Sequence, residues 1–197
     1  MTISPVICLA SMSPRRRELL AQVGVPHTVF AAHVDESLLP DESPKDYVAR
    51  LAALKATTVR DRGEGLPVLA ADTTVVLNGV VYGKPADRAD GLDMLARLAG
   101  RTHEVLTAVA LATQRGVALR VNVSSVRFRN IERAEIERYW ETGEPRDKAG
   151  GYAIQGYGAV FVTALNGSYS GVMGLPLLET AELLRDSGLP YWIGAAS

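Results

Sequence analysis

Residues Cys8–Leu20 read CLASMSPRRRELL, and this stretch decides the fold because it joins an apolar strand to a helix through a short polar loop. Pro14 suits the first position of a helix, and Ser13 before it is a good N-cap. Three arginines then occupy the first helical turn, where the helix dipole normally favours acidic side chains. Amides at a helix start, two hydroxyl groups and guanidinium groups together predict a phosphate-binding loop. The alternative is a solvated, arginine-rich helix face.

The neighbouring elements place this loop at the edge of a sheet. Val6–Ala10 is predicted as a buried strand, and the helix is predicted to run over Pro14–Val23 and to end at Gly24. The loop therefore follows the carboxyl end of a strand, where open α/β sheets bind ligands.

Two carboxylates follow the second predicted strand, Thr28–Val34. Asp35 and Glu36 are adjacent, and carboxylate oxygens of this kind are able to hold a divalent cation. The alternative interpretation is an ordinary polar loop.

The next helix is predicted to begin at the N-cap Ser43 and to continue to about Arg62. Lys55 lies on a mainly apolar flank of this helix, beside Ala52 and Val59. Either its aliphatic chain covers the flank while its ammonium group reaches water, or the ammonium group is held at the edge of a buried site.

The strongest strand in the sequence is Val68–Leu77, and Asn78-Gly79 predicts a tight hairpin turn to Val80–Tyr82. Asp72 interrupts this strand at its centre. A carboxylate among apolar residues is costly unless it is paired, hydrogen-bonded or metal-bound. We interpret Asp72 as a rigidly held base or metal ligand, and the alternative is a buried structural aspartate.

Two later segments carry polar side chains beside glycine. Gly83-Lys84-Pro85 places a lysine in a segment stiffened by proline, although a surface lysine is the ordinary interpretation. Residues Asp147–Gly156 form a glycine-rich loop with an acid, a base and Gln155, whose amide both donates and accepts hydrogen bonds.

Two long strands are predicted over 105–113 and 118–128, and a final strand over 158–165. Three further helices are predicted over 87–98, 134–142 and 177–187, and these elements complete an α/β pattern. We find no repeat or linker, so residues 1–197 are predicted to form a single domain. This order predicts a mixed, twisted α/β sheet with flanking helices and two lobes around a central cleft.

Composition excludes several function classes. The 197 residues are 47% hydrophobic and 22% charged, with a net charge of -1, which argues against binding of bulk nucleic acid or membrane. A single cysteine, Cys8, excludes an internal disulfide and fits a reducing compartment, so a cytoplasmic location is expected. His27, His33 and His103 lack the spacing of a zinc site. Neither a P-loop nor a GxGxxG motif is present.

Seven short motifs resemble, in order, those of the Maf family and together span nearly the whole chain. They are Ala10–Leu20, Ala71–Thr73, Gly83–Pro85, Asp147–Gly150, Ile154–Gly156, Ser168–Ser170 and Gly174–Pro176. Two departures are mild: Ala70 stands where the family commonly has glycine, and Gly151 with Ala153 exchange the usual alanine and glycine.

The resemblance implies a nucleoside triphosphate pyrophosphatase with a fold similar to that of the inosine triphosphate pyrophosphatases. Such an enzyme is cytoplasmic, depends on Mg²⁺ or Mn²⁺, and releases a nucleoside monophosphate and pyrophosphate. The segments around Gln155 and Ser168–Ser170 resemble the branch that acts on dTTP and UTP. The family also implies a homodimer and an association with septum formation.

By the same resemblance, Asp72 matches the proton acceptor, and Arg15, Thr73 and Gln155 match the positions that set specificity. Five further residues match other substrate or metal positions: Ser11, Arg16, Glu36, Lys55 and Lys84. Glu36 and Asp72 are the expected metal ligands. Four cationic side chains are expected to neutralise the triphosphate: Arg15, Arg16, Lys55 and Lys84. Two other functions stay open, namely a regulator that binds nucleotide without turnover and a nucleotidyltransferase.

Overall fold

A computed structural model describes residues 4–63 and 65–193 and confirms the mixed α/β architecture. Within these residues the chain forms seven strands: β1 (Ile7–Leu9), β2 (His27–Val29), β3 (Val68–Leu77), β4 (Val80–Tyr82), β5 (Thr102–Thr113), β6 (Gly116–Phe128) and β7 (Val162–Asn166). Six α-helices lie around them: α1 (Pro14–Gln22), α2 (Pro44–Arg60), α3 (Arg88–Leu98), α4 (Arg133–Glu141), α5 (Tyr169–Met173) and α6 (Leu177–Asp186). Short 3₁₀ segments cover Glu144–Asp147, Ala149–Gly151 and Tyr157–Phe161.

The strands form one sheet in the order β2-β1-β3-β5-β6-β7, with β4 also paired to β3. The pairs of β1 with β2 and β3 are parallel, and the others are antiparallel. One edge of β3 is covered by β5 from Val68 to Val76. On its other edge, β1 pairs only near Leu69 and β4 pairs only from Val75 onward, so a gap opens between them.

Successive residues of a strand point to opposite faces, and the core follows this alternation. One face packs against α2 through small side chains, among them Ala52, Ala56, Ala70, Ala108 and Ala110. The opposite face packs leucines of β3 and β5 against α1 and α6. A third cluster joins α3 and α4 to the far end of the long hairpin around Phe128 and Phe161. The cluster around Phe128 contains Val75 and Leu77 beside β4, whereas the cluster against α1 and α6 contains Leu69 and Ala71 beside β1, so the gap along β3 lies between these two clusters.

Most of the predicted elements are confirmed, and the Asn78-Gly79 turn has both residues at positive φ, as a type I′ hairpin requires. Three predictions were wrong. The second strand stops at Val29 instead of Val34, because its neighbour β1 is itself only three residues long. Residues 158–161 are 3₁₀ helix instead of strand, and Tyr169–Met173 form α5, where the sequence pattern predicted no helix.

Helix α5 carried signals that the sequence reading missed. The Ser168 side chain accepts a hydrogen bond from the amide of Gly171 at the helix start, and Gly174 ends the helix at positive φ. Among the described residues, no helix combines the length and apolar character needed to cross a bilayer.

Candidate active site

A cleft of about 660 Å³ opens where β1 and β4 diverge along β3. The structure brings nine residues singled out from the sequence to its lining: Ser11, Arg15, Arg16, Glu36, Lys55, Asp72, Thr73, Lys84 and Gln155. Asp35, the other candidate carboxylate, is exposed and accepts a hydrogen bond from the Ser37 amide at 2.9 Å instead. The nine lining residues come from six separate segments of the chain. The cleft is therefore the candidate active site.

Residues Ser11–Arg17, which we call the arginine loop, form one side of the cleft and are held by backbone carbonyls near α5. Arg16 donates from Nε to the Gly174 carbonyl at 2.7 Å and from its terminal nitrogens to the hydroxyls of Ser11 and Thr73 at 3.3 and 3.2 Å. Arg15 donates from Nε to the Met173 carbonyl at 3.2 Å. Arg17 is exposed. Two of the three arginines thus face the cleft in fixed positions.

Burial lowers the pKa of the Arg16 guanidinium, and the nearby charge of Asp72 opposes this shift. An arginine stays protonated in a protein, so the side chain remains a cation. Ser13 lies at the N-cap as predicted, but its side chain accepts no capping hydrogen bond. The Ser13 amide donates instead to the Ser11 hydroxyl at 3.2 Å.

Thr73 is fixed by a residue that the sequence reading missed. The Thr107 hydroxyl of β5 lies 3.0 Å from the Thr73 hydroxyl and 2.8 Å from the Gly171 carbonyl. Thr107 is fully buried. It interrupts the apolar run of β5, and that polar interruption was the signal available in the sequence.

Glu36, Lys55 and Asp72 form a cluster that we call the charged floor. The Lys55 Nζ lies 2.7 Å from Asp72 Oδ1 and 2.6 Å from Glu36 Oε1. Lys55 and Asp72 are only 8% and 6% exposed. The lysine is therefore held at a buried site, and the alternative in which it reaches water is wrong.

The two carboxylates of the floor differ in their electrostatics. Burial raises the pKa of Asp72, although Lys55 and Arg16 act in the opposite direction. For Glu36, burial raises the pKa but is outweighed by the hydrogen bond and charge of Lys55 with the charges of Lys84 and Arg16, so the net pKa is lowered. Tyr47, also missed from the sequence, donates its hydroxyl to the Glu36 carbonyl at 2.9 Å.

The glycine-rich wall, residues Asp147–Gly156, faces the arginine loop across the cleft. The Gly150 amide donates to the Gly83 carbonyl at 3.0 Å, so the wall is joined to the segment that carries the exposed Lys84. Asp147 forms an ion pair with Lys148. Gln155 lies exposed at the end of the wall, where its amide is free to face a ligand.

The donor set of the floor fits a hard divalent cation in part. Glu36 and Asp72 supply carboxylate oxygens, the ligands that Mg²⁺ and Mn²⁺ prefer. Within residues 4–63 and 65–193, no group of three or more acidic, histidine or cysteine side chains is arranged to hold a metal alone. A cation held here would therefore take further oxygens from a bound phosphate group.

This mixed α/β fold has a cleft in which cationic side chains surround a buried carboxylate. Such a cleft is typical of proteins that bind polyanions. The chain belongs to the Maf-like protein family, whose family model matches residues 6–187. This finding confirms the resemblance seen in the motifs.

Curated relatives match the chain along nearly its full length. It is 56% identical to the dTTP/UTP pyrophosphatase of Alkalilimnicola ehrlichii over 193 residues, which cover 95% of each protein. It is 52% identical to the dTTP/UTP pyrophosphatase of Bordetella parapertussis over 198 residues and 49% identical to that of Hahella chejuensis over 189 residues, with 94% of each chain covered in both cases.

Proposed function

We propose that this protein hydrolyses dTTP and UTP to the nucleoside monophosphate and pyrophosphate. The relatives above carry that activity in their names and share about half of their residues with this chain. The observation that carries the proposal is the buried Asp72, which faces a cleft lined by cationic side chains.

The cations of the cleft would bind the triphosphate. Arg16 and Lys55 are held by hydrogen bonds before substrate arrives, so little side-chain freedom is lost on binding. Together with Arg15 and Lys84 they would neutralise the charge that develops on the departing pyrophosphate.

Asp72 is the proposed general base. A water molecule attacks the α-phosphorus, the bond from that phosphorus to the bridging oxygen breaks, and the oxygen leaves with pyrophosphate. Asp72 takes the proton from the water. Burial raises the pKa of Asp72 toward neutral pH. A general base is most effective when its pKa lies close to the pH at which the enzyme works.

Glu36 and Asp72, with phosphate oxygens, would hold a Mg²⁺ or Mn²⁺ ion. When bound, such an ion polarises a phosphoryl oxygen and offsets negative charge. Base selection is assigned to Arg15, Thr73 and Gln155, and the exposed amide of Gln155 supports this assignment because it offers a donor and an acceptor to a pyrimidine edge.

The test is pyrophosphate release from a panel of common and methylated nucleoside triphosphates, with Mg²⁺, with Mn²⁺ and with chelator. We expect the highest kcat/KM for dTTP and UTP and loss of turnover with chelator. Calorimetric binding of dTTP without pyrophosphate release would instead support a non-catalytic regulator, and transfer of the nucleotide to an acceptor would support a nucleotidyltransferase.

The proposal includes a cytoplasmic location and a homodimer. The single buried cysteine, Cys8, fits a reducing compartment. Light scattering of the purified protein tests the dimer, because a mass close to that of one 21.1 kDa chain would contradict it.

A further inference from the structure

Tyr139 and Glu144 lie behind the glycine-rich wall, and neither side chain lines the cleft. Tyr139 is in the last turn of α4, and Glu144 opens the 3₁₀ segment that follows. The Tyr139 hydroxyl donates to Glu144 Oε1 at 2.6 Å. The two residues form a hydrogen-bonded unit that we call the clip.

The clip binds the backbone on both sides of Gln155. Before Gln155, the Ala153 amide donates to the Tyr139 hydroxyl at 3.3 Å. After it, the amides of Tyr157 and Gly158 donate to Glu144 Oε2 and Oε1, each at 2.9 Å. The turn that presents Gln155 is itself closed by the Gly156 amide on the Ala153 carbonyl at 3.3 Å.

The backbone leaves no space between this turn and the clip. A Cβ on Gly156 would lie 1.9 Å from Glu144 Oε2, and one on Gly158 would lie 2.7 Å from the Tyr139 hydroxyl. Both glycines therefore permit the close approach on which the hydrogen bonds depend. The position of the turn that presents Gln155 therefore depends on the positions of the Glu144 carboxylate and the Tyr139 hydroxyl.

We infer that Tyr139 and Glu144 are positioning residues that set base selectivity through Gln155. This inference rests on the proposed function, in which Gln155 faces the pyrimidine base. The Gln155 side chain has one rotatable bond more than an aspartate side chain and lies exposed, so its reach to a base depends on where the backbone turn is held. The charged floor is built on α2, β3 and the loop after β2 and does not share these hydrogen bonds.

The carboxylate of Glu144 is needed because it accepts from three donors at once. A glutamine in its place keeps the size but has only one oxygen that accepts hydrogen bonds. Its NH₂ group would face a backbone amide that also donates, so at least one hydrogen bond is lost. Glu144→Gln is therefore a conservative change that loosens one side of the turn. Glu141→Gln is the matched control, because Glu141 lies three positions earlier, is exposed and pairs only with Arg88 among the described ion pairs.

The experiment measures kcat/KM for UTP, dTTP, CTP and GTP in each variant. For Glu144→Gln we expect the preference for UTP over CTP and GTP to fall about tenfold, the change that corresponds to one lost hydrogen bond to a charged group. The loss should appear mainly as a higher KM for UTP. Glu141→Gln should keep the wild-type preference.

A double-mutant cycle with Gln155→Ala separates positioning from a general structural effect. If Glu144 acts through Gln155, the combined variant loses no more selectivity than Gln155→Ala alone. Additive losses, or an unchanged preference in Glu144→Gln, would overturn the inference. If Gln155→Ala itself keeps the wild-type preference, the base-reading role in the proposed function is wrong and the positioning role falls with it.

Tyr139→Phe provides a second variant if Glu144→Gln does not fold. It removes the hydrogen bonds of the hydroxyl with the Ala153 amide and with Glu144 Oε1, but it leaves both hydrogen bonds that the Tyr157 and Gly158 amides donate to Glu144. We therefore expect a smaller loss of selectivity in the same direction. Wild-type selectivity in a folded Tyr139→Phe protein with reduced thermal stability would assign the pair a structural role only and contradict the inference.

Discussion

The charged floor and the glycine-rich wall are held in place by different forces. In the floor, Lys55 joins two carboxylates at 2.6 and 2.7 Å, so its geometry depends on charge. The wall is held by Glu144 with backbone amides and, further inside, by His103 hydrogen-bonded to the Tyr152 hydroxyl at 2.8 Å. The pKa of His103 is lowered to about 4 by burial, so this second support is neutral near pH 7.

This difference assigns chemistry to the floor and selectivity to the wall. Opposed charges in a buried cluster tune the pKa of a base, whereas backbone amides on the Glu144 carboxylate, a neutral histidine and glycine allow the backbone of the wall to be placed closely. Changes in the floor should therefore alter turnover, and changes in the wall should alter substrate preference or stability.

The largest expected effect is that of Asp72→Asn. The amide keeps the size of the side chain but does not take a proton, so we expect pyrophosphate release from dTTP to fall about a thousandfold, within the range for loss of a general base. Calorimetry should still detect binding of dTTP to the Asp72→Asn protein. The control is Asp93→Asn, since Asp93 is exposed on α3 and pairs with Arg97. Turnover within tenfold of wild type in folded Asp72→Asn would contradict the assignment.

Lys55→Met should have the next largest effect. Because Lys55 lowers the pKa of Asp72, its removal should raise that pKa further, and the acid limb of the kcat/KM profile should move to higher pH. We also expect kcat/KM at pH 7 to fall about a hundredfold, as two carboxylates then face the triphosphate.

The pH profile of kcat/KM is the measurement, with Lys55→Arg as the variant that keeps the charge. Removal of one partner of a buried ion pair commonly costs about 3–5 kcal/mol of stability, so folding is checked by circular dichroism. An acid limb at the wild-type position in Lys55→Met would show that Lys55 does not set the pKa of the base.

A smaller effect is expected from His103→Gln, and it concerns stability instead of turnover. The folded pKa of about 4 lies below the unfolded value of 6.5, so the unfolded chain binds a proton first as the pH falls. The free energy of unfolding should therefore fall as the pH decreases from 6.5 to 4, by at most about 1.4 kcal/mol per pH unit from this group.

Urea unfolding of wild type and His103→Gln across this pH range checks the prediction. In His103→Gln the free energy of unfolding should depend less steeply on pH than in the wild type. The preference of this variant for UTP should change less than that of Glu144→Gln. Equal slopes in the two proteins would mean that His103 is not the group that titrates.

The sequence predicted much of the fold because the long elements have strong local signals. Strand β3 has the predicted bounds, and α2 begins at the predicted N-cap with the Ser43 hydroxyl accepting from the Asp46 amide. Motifs also indicated which side chains would meet, and the structure places all of them along one cleft. Their chemical roles remain the proposal made above.

Other features depend on contacts between distant parts of the chain, which no local pattern encodes. The position of Lys55 between two carboxylates requires α2, β3 and the loop after β2 to be packed together. The clip joins the end of α4 to a turn ten or more residues later, although the helix alone gave no indication of a functional role. The 3₁₀ segment at Tyr157–Phe161 has the same origin, since its first amides are held by Glu144.

In the proposed reaction, water attacks the α-phosphorus of a pyrimidine nucleoside triphosphate in this cleft. Hydrolysis of dTTP by the wild-type protein in H₂¹⁸O, followed by mass spectrometry of the products, tests it most directly. We predict one heavy oxygen in dTMP and none in pyrophosphate. Heavy oxygen in pyrophosphate, or release of orthophosphate in its place, would show that water attacks a different phosphorus atom.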